Sequence, residues 1–276
     1  MTGTPQMQSP QQLLARLDAA TRGLTPARLR WLALGVAVVA FYAGSVWLAR
    51  VDLGRLVAGL PKLAWWAQQA WPPAFGELPV IALRMAETIA IAALGTTIAV
   101  LAAMPLAVLA SRNVTRSNAV RLPVRWVLNG LRGIDSFIFA LIFVAAVGLG
   151  PFAGLIGVAL HTCGSAARLF SDQIENASLT AVEAVETTGA GRAGALVYAL
   201  LPQLAPVWAS TALYLFEFNV RASMVLGVVG AGGIGHELKN SMDLLDFPRL
   251  ATILIVILIV VTVIDQAGSA LRRRLV

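Results

Sequence analysis

Charged side chains are scarce in this sequence. Asp, Glu, Lys and Arg make up 13% of its 276 residues, whereas a soluble domain carries roughly 25%. Hydrophobic residues make up 58%, and the mean hydropathy is +0.77. This composition excludes an ordinary soluble domain. It indicates an integral membrane protein with no large soluble domain between its apolar runs.

Residues that bind metals or form disulfides are also few. The single cysteine, Cys163, excludes a disulfide framework and a cysteine metal site, and the two histidines are too few for a histidine cluster. We therefore expect no metal site. There is no G-x-x-x-x-G-K-[ST] phosphate loop, no second histidine after His236-Glu237 to complete a zinc-protease motif, and no G-x-S-x-G elbow. We expect no catalytic residues, and any ATP hydrolysis requires a separate protein.

The net charge of +7 has a topological explanation. The chain has only two lysines, Lys62 and Lys239, and its arginines lie mainly in short segments between apolar runs. Such a distribution is typical of the orientation signal of membrane proteins. We therefore predict no nucleic-acid partner.

Six stretches approach the 20 or so apolar residues that a membrane-spanning helix needs. They cover residues 31–49, 87–110, 132–147, 152–170, 206–229 and 249–267, and the third has an alternative start near Trp126. The prediction is an all-α polytopic membrane protein with six transmembrane helices.

The arginines orient these spans, because cytoplasmic segments carry an excess of positive charge. Three segments are rich in arginine: the first 30 residues, the connection between spans two and three, and the C-terminal tail, with Arg16, Arg22, Arg28, Arg30, Arg112, Arg116, Arg121, Arg125, Arg272, Arg273 and Arg274. Both termini are therefore predicted to be cytoplasmic, with tails at 1–30 and 271–276. Residues 1–30 lack the apolar core and small-residue cleavage site of a signal peptide.

An amphipathic segment is predicted outside the membrane after the first span. Leu53, Leu56, Val57 and Leu60 recur at helical spacing, which indicates a helix lying on the outer leaflet before Trp-Pro-Pro at 71–73 breaks it. Residues 31–79 thus comprise the first span and this segment. Residues 80–270 form a core of five spans.

The connection over 171–201 predicts a cytoplasmic helix–turn–helix. Thr180 and Glu183 have the spacing of a capping box at the start of a helix. Gly189 and Gly191 then end or turn that helix. A second helix is predicted from Ala195 to Leu201, ending at a proline.

This connection resembles the EAA loop of ABC importer permeases, which we place at 178–202. The family pattern has Glu-Ala-Ala, a glycine six residues after the glutamate, and Leu-Pro ending thirteen residues later. Glu183, Ala184, Gly189 and Leu201-Pro202 match. The loop departs from the pattern in two positions, where Val185 replaces alanine and Ala199 replaces isoleucine.

Three further stretches are similar to the permease subunit of phosphonate importers. They are residues 132–154, 161–176 and 216–238, and the likeness covers roughly residues 75 to 270. The resemblance implies the type I ABC importer permease fold, a bacterial cytoplasmic (inner) membrane location, and import of phosphonates or related phosphorus oxyanions. It also implies four kinds of partner: a cytoplasmic ABC ATPase dimer that binds ATP and Mg, an extracytoplasmic phosphonate- or phosphate-binding protein, a second or paralogous permease, and the lipid membrane.

The resemblance also assigns the loop its role, which is docking into the ATPase, to Glu183, Ala184, Glu186, Gly189, Leu201 and Pro202. The alternative is that Glu183 only caps its helix and Gly189 only ends it. Within the family, phosphate, phosphite or a solute such as methionine remain alternative substrates. From another class, an ATP-independent secondary transporter or channel remains an alternative, and it would not need the loop.

Ionisable and polar residues inside spans are functional candidates, because placing them in a membrane is costly. We predict that the translocation path includes some of Arg132, Ser136, His161, Thr162, Asn219 and Arg221. Arginine suits an oxyanion because its guanidinium donates several hydrogen bonds. Local ion pairs of Arg132 with Asp135 and of Arg221 with Glu217 are the alternative, as is helix–helix bonding for His161, Thr162 and Ser165.

The stretch VVGAGGIG at 228–235 has the G-x-G-x-x-G spacing of a dinucleotide site. A dinucleotide fold also needs a following helix and another strand, but only 41 residues follow Gly235 and the last span takes much of them. We therefore interpret the stretch as a glycine-rich turn near the outer face between spans five and six. Its glycines are predicted to form an outer gate: Gly230, Gly232, Gly233 and Gly235.

Overall fold

The computed structural model describes residues 26–178 and 180–275, without the side chains of 26–29, 192 and 193. The predicted tail over 1–30 therefore lies almost entirely outside the described residues. The chain divides into two compact units, Met1–Ala64 and Trp65–Val276.

Every regular element in the described residues is helical. In chain order the α-helices are α1 (Pro26–Leu48), α2 (Leu53–Gln69), α3 (Leu78–Ala110), α4 (Asn118–Gly133), α5 (Ser136–Val147), α6 (Pro151–Asn176), α7 (Thr180–Thr187), α8 (Arg192–Ala195), α9 (Leu201–Leu226), α10 (Ile234–Asp243) and α11 (Phe247–Leu275). Short 3₁₀ turns precede α3 and follow α9, and one π-helical turn, Leu196–Leu200, joins α8 to α9. The all-α prediction is confirmed.

The first unit contains the predicted first span and most of the amphipathic helix. On α1, every side chain described is exposed, as expected for an apolar helix that meets lipid. The α2 helix begins at Leu53, where the Asp52 carboxylate accepts a hydrogen bond from the Arg55 N–H at 3.0 Å. It ends at Gln69, just before the Trp-Pro-Pro segment that was predicted to break it.

Five described helices are long and apolar enough to cross a membrane, and a sixth span results if the bent pair α4–α5 counts as one. Several predicted bounds were too short. The second span begins at Leu78 rather than Glu87, α6 continues to Asn176, and α11 covers Phe247–Leu275. The fifth span is not preceded by a separate helix ending at proline. Pro202 lies instead in the first turn of α9, directly after the π-helical turn.

The predicted third span is broken, and α4 and α5 meet at 87°. Asp135 causes a fresh helix start, because its carboxylate accepts a hydrogen bond from the Phe137 N–H at 2.8 Å as an N-cap. Arg132 lies in the last turn of α4, whereas Asp135 precedes α5. The alternative of a local ion pair between these two residues was therefore wrong, because the described residues show none.

Glycines on α6 let the broken pair approach closely. A methyl group added at Gly157 would lie 2.8 Å from the Ala140 nitrogen on α5. One added at Gly164 would lie 2.7 Å from the Arg132 nitrogen on α4. Since these neighbours are backbone atoms, only glycine fits at either position. The packing fixes the place of the bend, and with it the place of Arg132, against α6.

A second packed region lies toward the other end of α6. Phe170 stacks on Trp208 of α9 with ring centroids 4.7 Å apart, and alanines of α3 fill the space beside them. Small residues on α3 and large rings on α6 and α9 give the close interhelical packing that is typical of membrane bundles.

Candidate translocation site and coupling loop

A cavity of about 250 Å³ lies between α4, α6 and α9. Its walls combine hydrogen-bonding groups with apolar side chains, and the lining residues are Arg132, His161, Thr162, Ser165, Leu169, Tyr214, Leu215, Phe218 and Asn219. Four of the six predicted path residues therefore come together here. The cavity exists because α4 ends at the bend, which brings its last turn against the middle of α6.

Arg132 is the cationic group of this cavity. Six other arginines in the second unit form ion pairs: Arg84, Arg125, Arg168, Arg221, Arg249 and Arg272. The guanidinium of Arg132 makes no ion pair or hydrogen bond with any described residue. Its donors are therefore available to a ligand in the cavity.

His161 contacts the backbone at the break between α4 and α5. Its Nδ1 lies 2.8 Å from the carbonyl oxygen of Ile134, in the link between α4 and α5. A helix break leaves backbone carbonyls without their usual partners. Since a carbonyl oxygen only accepts, Nδ1 carries the proton and donates it. His161 therefore holds the bend while its ring lines the cavity.

Thr162 and Asn219 form a buried hydrogen-bond bridge. Each side chain is 1% exposed. The Thr162 hydroxyl donates to Asn219 Oδ1 at 3.1 Å, and Asn219 Nδ2 donates to the Thr96 hydroxyl at 2.8 Å. The bridge joins α6, α9 and α3, as the helix–helix bonding alternative predicted for Thr162. A path role for these two residues stays a prediction.

Ser136 and Arg221 lie outside the cavity. Ser136 is buried at the first position of α5, with its backbone oxygen facing Gly157. Arg221 makes two hydrogen bonds to the Asp265 carboxylate on α11, at 2.9 and 3.0 Å. Glu217 of α9 forms an ion pair with Arg272, which also lies on α11. The predicted local pair of Glu217 with Arg221 was therefore wrong, because both residues bind α11.

The predicted EAA loop, at 178–202, presents polar side chains at its surface. On α7, Val182 is 8% exposed and packs into the region around Phe170, with Val185 beside it. Ala184 lies on the opposite face of the helix, whereas Glu183 and Glu186 are exposed beside the valines and line a pocket with Arg116. The helix is thus anchored through its valines and presents two carboxylates and Ala184 at its surface.

The structure contradicts the predicted start of α7 and agrees with its predicted end. The helix begins at Thr180, whose N–H donates to the Ser178 hydroxyl at 3.4 Å. The predicted capping box was therefore wrong, because Thr180 lies within the first turn instead of preceding it. Gly189 has φ +82° and ends the helix in the left-handed region, as its proposed turn required. Leu201 and Pro202 are exposed at the start of α9.

The loop is tied to the membrane helices through Glu175 at the end of α6. Its carboxylate accepts a hydrogen bond from the Arg112 N–H at 2.8 Å and pairs with Arg125 of α4. Arg125 also donates to the Ala110 carbonyl at 2.7 Å. The end of α6, where the loop begins, is therefore bonded to α4 and to the segment that follows α3.

The glycine stretch forms a tight turn between α9 and α10. Gly230, Gly232 and Gly233 have φ of +85°, +78° and +79°, which only glycine adopts readily. The Ile234 N–H donates to the Thr88 hydroxyl at 2.8 Å. Thr88 is ten residues into α3, so the turn lies about 15 Å along that helix from its start. The outer-face position of the turn stays a prediction. The gate role of these glycines and of Gly235 stays a prediction.

Comparison with known proteins identifies the family. Residues 95–276 match the family described as binding-protein-dependent transport system inner membrane component. The chain belongs to this family. The matched range contains the predicted EAA loop of this permease and all nine residues that line the cavity, and it lies within the second unit.

Two relatives resemble most of this permease. It is 38% identical over 248 residues to the phosphite transport system permease protein PtxC of Stutzerimonas stutzeri, covering 88% of this chain and 90% of the relative. It is 36% identical over 229 residues to the phosphate-import permease protein PhnE of Mycolicibacterium smegmatis, covering 83% of this chain and 43% of that one.

The fold of the permease also has a solved counterpart. It matches a chain of the MetNI methionine ABC transporter in an inward-facing conformation with a TM-score of 0.64 and 20% identity, over 74% of this chain and 99% of that one. The type I ABC importer fold is thus confirmed. The protein is an inner-membrane transport subunit of an ABC import system, a kind of system that also includes an ATPase and a binding protein.

Sequence analysis of the permease missed a network of ion pairs at the start of α3. Arg84 contacts Glu87 at 2.9 Å and Glu237 at 3.3 Å, and Arg249 contacts Glu237 and Glu77 at 2.8 Å each. Glu237 is 6% exposed and joins α3, α10 and α11. The signal was present as Arg84 and Glu87 at i, i+3 in an apolar run. Among the described residues, no group of His, Cys, Asp and Glu is arranged to hold a metal ion.

Proposed function

We propose that this permease imports phosphite, phosphonates or phosphate, and that the anion passes through the cavity beside Arg132. The observation that carries the proposal is the unpaired guanidinium of Arg132 in a cavity with hydroxyl and imidazole groups. Guanidinium donors match the geometry of phosphorus oxyanions. The names of the relatives, one for phosphite and one for phosphate, point to the same class of cargo.

The surroundings of the Arg132 guanidinium favour weak, short-lived binding of an anion. Arg132 is exposed at the last turn of α4, where the negative end of the helix dipole offsets part of its charge. A carrier must release its cargo, so a partly offset, solvent-accessible cation suits transport. The ordered bend then positions the cation, while the binding protein supplies most of the selectivity.

Energy for transport comes from a separate ATPase dimer that binds ATP and Mg, and this chain itself is not an enzyme. The exposed face of α7, with Glu183, Ala184 and Glu186, docks into a groove of that ATPase. Gly189 and the segment at Leu201 and Pro202 complete the docking surface. Through Glu175, closure of the ATPases pulls on α4, whose end carries Arg132.

The assembly consists of two permease subunits, two ATPases on the cytoplasmic side and an extracytoplasmic phosphonate- or phosphate-binding protein. Both termini are cytoplasmic, because the arginine-rich segments are then all on the cytoplasmic side. The glycine turn acts as the outer gate, where close backbone packing against Thr88 closes the path. No nucleic acid takes part.

The test is uptake of phosphite into proteoliposomes that contain the permease, its ATPase and its binding protein. Arg132→Gln is expected to lower uptake at least about tenfold, since a charge-assisted hydrogen bond contributes roughly 1.5–3 kcal/mol. Arg168→Gln is the matched control, because Arg168 is already paired with Asp172 at 3.2 Å. Uptake by Arg132→Gln at the rate of the control would refute the cavity as the path.

A second measurement separates this function from a secondary transporter. Glu183→Ala changes only the exposed face of α7. We expect it to uncouple uptake from ATP hydrolysis, because the docking surface loses a carboxylate. ATP-independent uptake by the permease alone, unchanged by Glu183→Ala, would support the secondary transporter instead.

A further inference from the structure

We propose that His161 selects oxyanions that carry a proton, and so discriminates singly protonated phosphorus anions from sulfate. This inference rests on the proposed function, since it concerns the same cavity. The observation behind it is that the ring of His161 lines the cavity while its Nδ1 is engaged by the Ile134 carbonyl. That contact decides which ring nitrogen is left for a ligand.

The tautomer follows from the acceptor. The Ile134 carbonyl oxygen, 2.8 Å away, can only accept, so Nδ1 holds the proton. In the neutral ring the other nitrogen, Nε2, then carries a lone pair and accepts hydrogen bonds. Nε2 has no hydrogen bond to any residue that the structure describes. It is separated from Nδ1 by one ring carbon and is the polar ring atom that remains for a ligand.

The cavity then offers two kinds of recognition. Arg132 supplies donors only, which suit negatively charged oxygens. Nε2 of His161 supplies an acceptor, which suits a P–OH group. A singly protonated phosphite, phosphonate or phosphate presents both an anionic oxygen and a hydroxyl. Sulfate near neutral pH has no proton, so one of its oxygens would face the Nε2 lone pair without a hydrogen bond.

Other polar groups around the cavity do not duplicate this acceptor. The oxygen of Asn219 is occupied by the Thr162 hydroxyl, and the amide nitrogen of Asn219 by Thr96. The Thr162 hydroxyl donates its proton to Asn219 and is only 1% exposed, and the hydroxyls of Ser165 and Tyr214 rotate to donate as well as accept and so tolerate either kind of anion. Among the cavity residues, the ring nitrogen of a neutral His161 therefore makes the sharpest distinction.

The experiment measures binding to the detergent-purified complex of permease and ATPase without binding protein, so that the binding protein's selectivity does not enter. Line broadening of the phosphorus NMR signal of phosphite reports binding. Methylphosphonate and sulfate are then added as competitors. Wild-type protein is expected to require about tenfold more sulfate than methylphosphonate to relieve the broadening, because sites built around a hydrogen bond reject analogues that lack it.

Two substitutions separate recognition from positioning. His161→Asn places an amide donor near the Nδ1 position, so the bond to Ile134 is kept while the Nε2 acceptor is lost. It should bring the ratio of the two competitors close to one. His161→Gln reaches the Nε2 position with an amide oxygen and gives up the bond to Ile134. It should keep the preference for methylphosphonate, with a lower melting temperature of the complex.

The outcomes distinguish this inference from the function on which it rests. If His161→Asn keeps the tenfold preference, or if both variants change only stability, His161 positions the bend and the inference is refuted. If wild-type protein broadens the phosphite signal no more than Arg132→Gln does, the cavity binds no oxyanion, and the proposed path fails together with the inference.

Discussion

Gly164 sets how closely α6 approaches the end of α4, and Gly164→Ala tests that contact. The added methyl group would lie 2.7 Å from the Arg132 nitrogen, 2.8 Å from Leu131 Cβ and 2.9 Å from the Leu128 oxygen. Ordinary contacts begin at 3.4 Å. The two helices must therefore separate by about 0.7 Å, in an interior that packs too tightly to absorb the change locally.

The expected cost of this separation is about 1–3 kcal/mol, as for other overpacked interiors. At roughly 3 °C per kcal/mol, the melting temperature in detergent should fall by about 3–9 °C. Because the displaced segment carries Arg132, phosphite uptake should fall as well, even below the melting transition. A shift of this size at a reactive group is enough to reduce transport severalfold.

The matched control is Gly130→Ala on α4, where the added methyl group meets no atom within 4 Å. This variant should gain roughly 0.5–1 kcal/mol, because alanine stabilises a helix interior relative to glycine. The assay is thermal unfolding of both variants beside the wild type. Equal melting temperatures for Gly164→Ala and Gly130→Ala would refute the close approach of α6 to α4 at this point.

Two further predictions concern the coupling loop and the buried bridge. Gly189→Ala should uncouple ATP hydrolysis from uptake without unfolding the membrane helices, because its φ of +82° makes a side chain cost about 1–2 kcal/mol although no atom lies within 4 Å. Gly191→Ala, also without neighbours but without positive φ, is its control, and equal coupling in both would contradict the prediction. Asn219→Leu should destabilise the protein by about 1–3 kcal/mol in SDS unfolding, through loss of two interhelical hydrogen bonds. Thr97→Val, whose hydroxyl bonds only within α3, should change little, and an equally stable Asn219→Leu would argue against the bridge.

The cavity is lined by four of the six residues that were predicted for the translocation path, but these four differ in whether another side chain already binds them. Arg132 was selected as an intramembrane cation, and it stands unpaired as that reasoning required. Thr162 and Asn219 were selected by the same rule, yet their side chains bind each other and Thr96. A polar residue in a span signals only that some partner exists. Whether that partner is a helix or a ligand depends on which side chains the packing brings within hydrogen-bond distance.

Arg221 and Glu217 illustrate the limit of local spacing. At i, i+4 on one helix they have the separation of a favourable pair. Both instead bind residues of α11 that lie more than 40 positions away, Asp265 and Arg272. Sequence spacing measures proximity along one helix. It does not register a stronger partner on the next helix.

The sequence by itself determined that this chain is an all-helical membrane protein, because sustained apolar runs and few charges leave no other class. It also predicts the EAA loop, since a glutamate, a glycine and a Leu-Pro at fixed spacing lie within one continuous segment. These properties depend on neighbours along the chain, and composition and spacing are enough to specify them.

Only the tertiary structure decided where the third span breaks and what the break creates. The Asp135 cap, the His161 bond to Ile134 and the close contact at Gly164 act together at the bend. They come from residues up to about 30 positions apart, and no one of them predicts an 87° turn by its own pattern. Because α6 packs against both halves of the broken span, Arg132 does not lie within a continuous spanning helix. It lies at a cavity, without an ion-pair partner among the described residues.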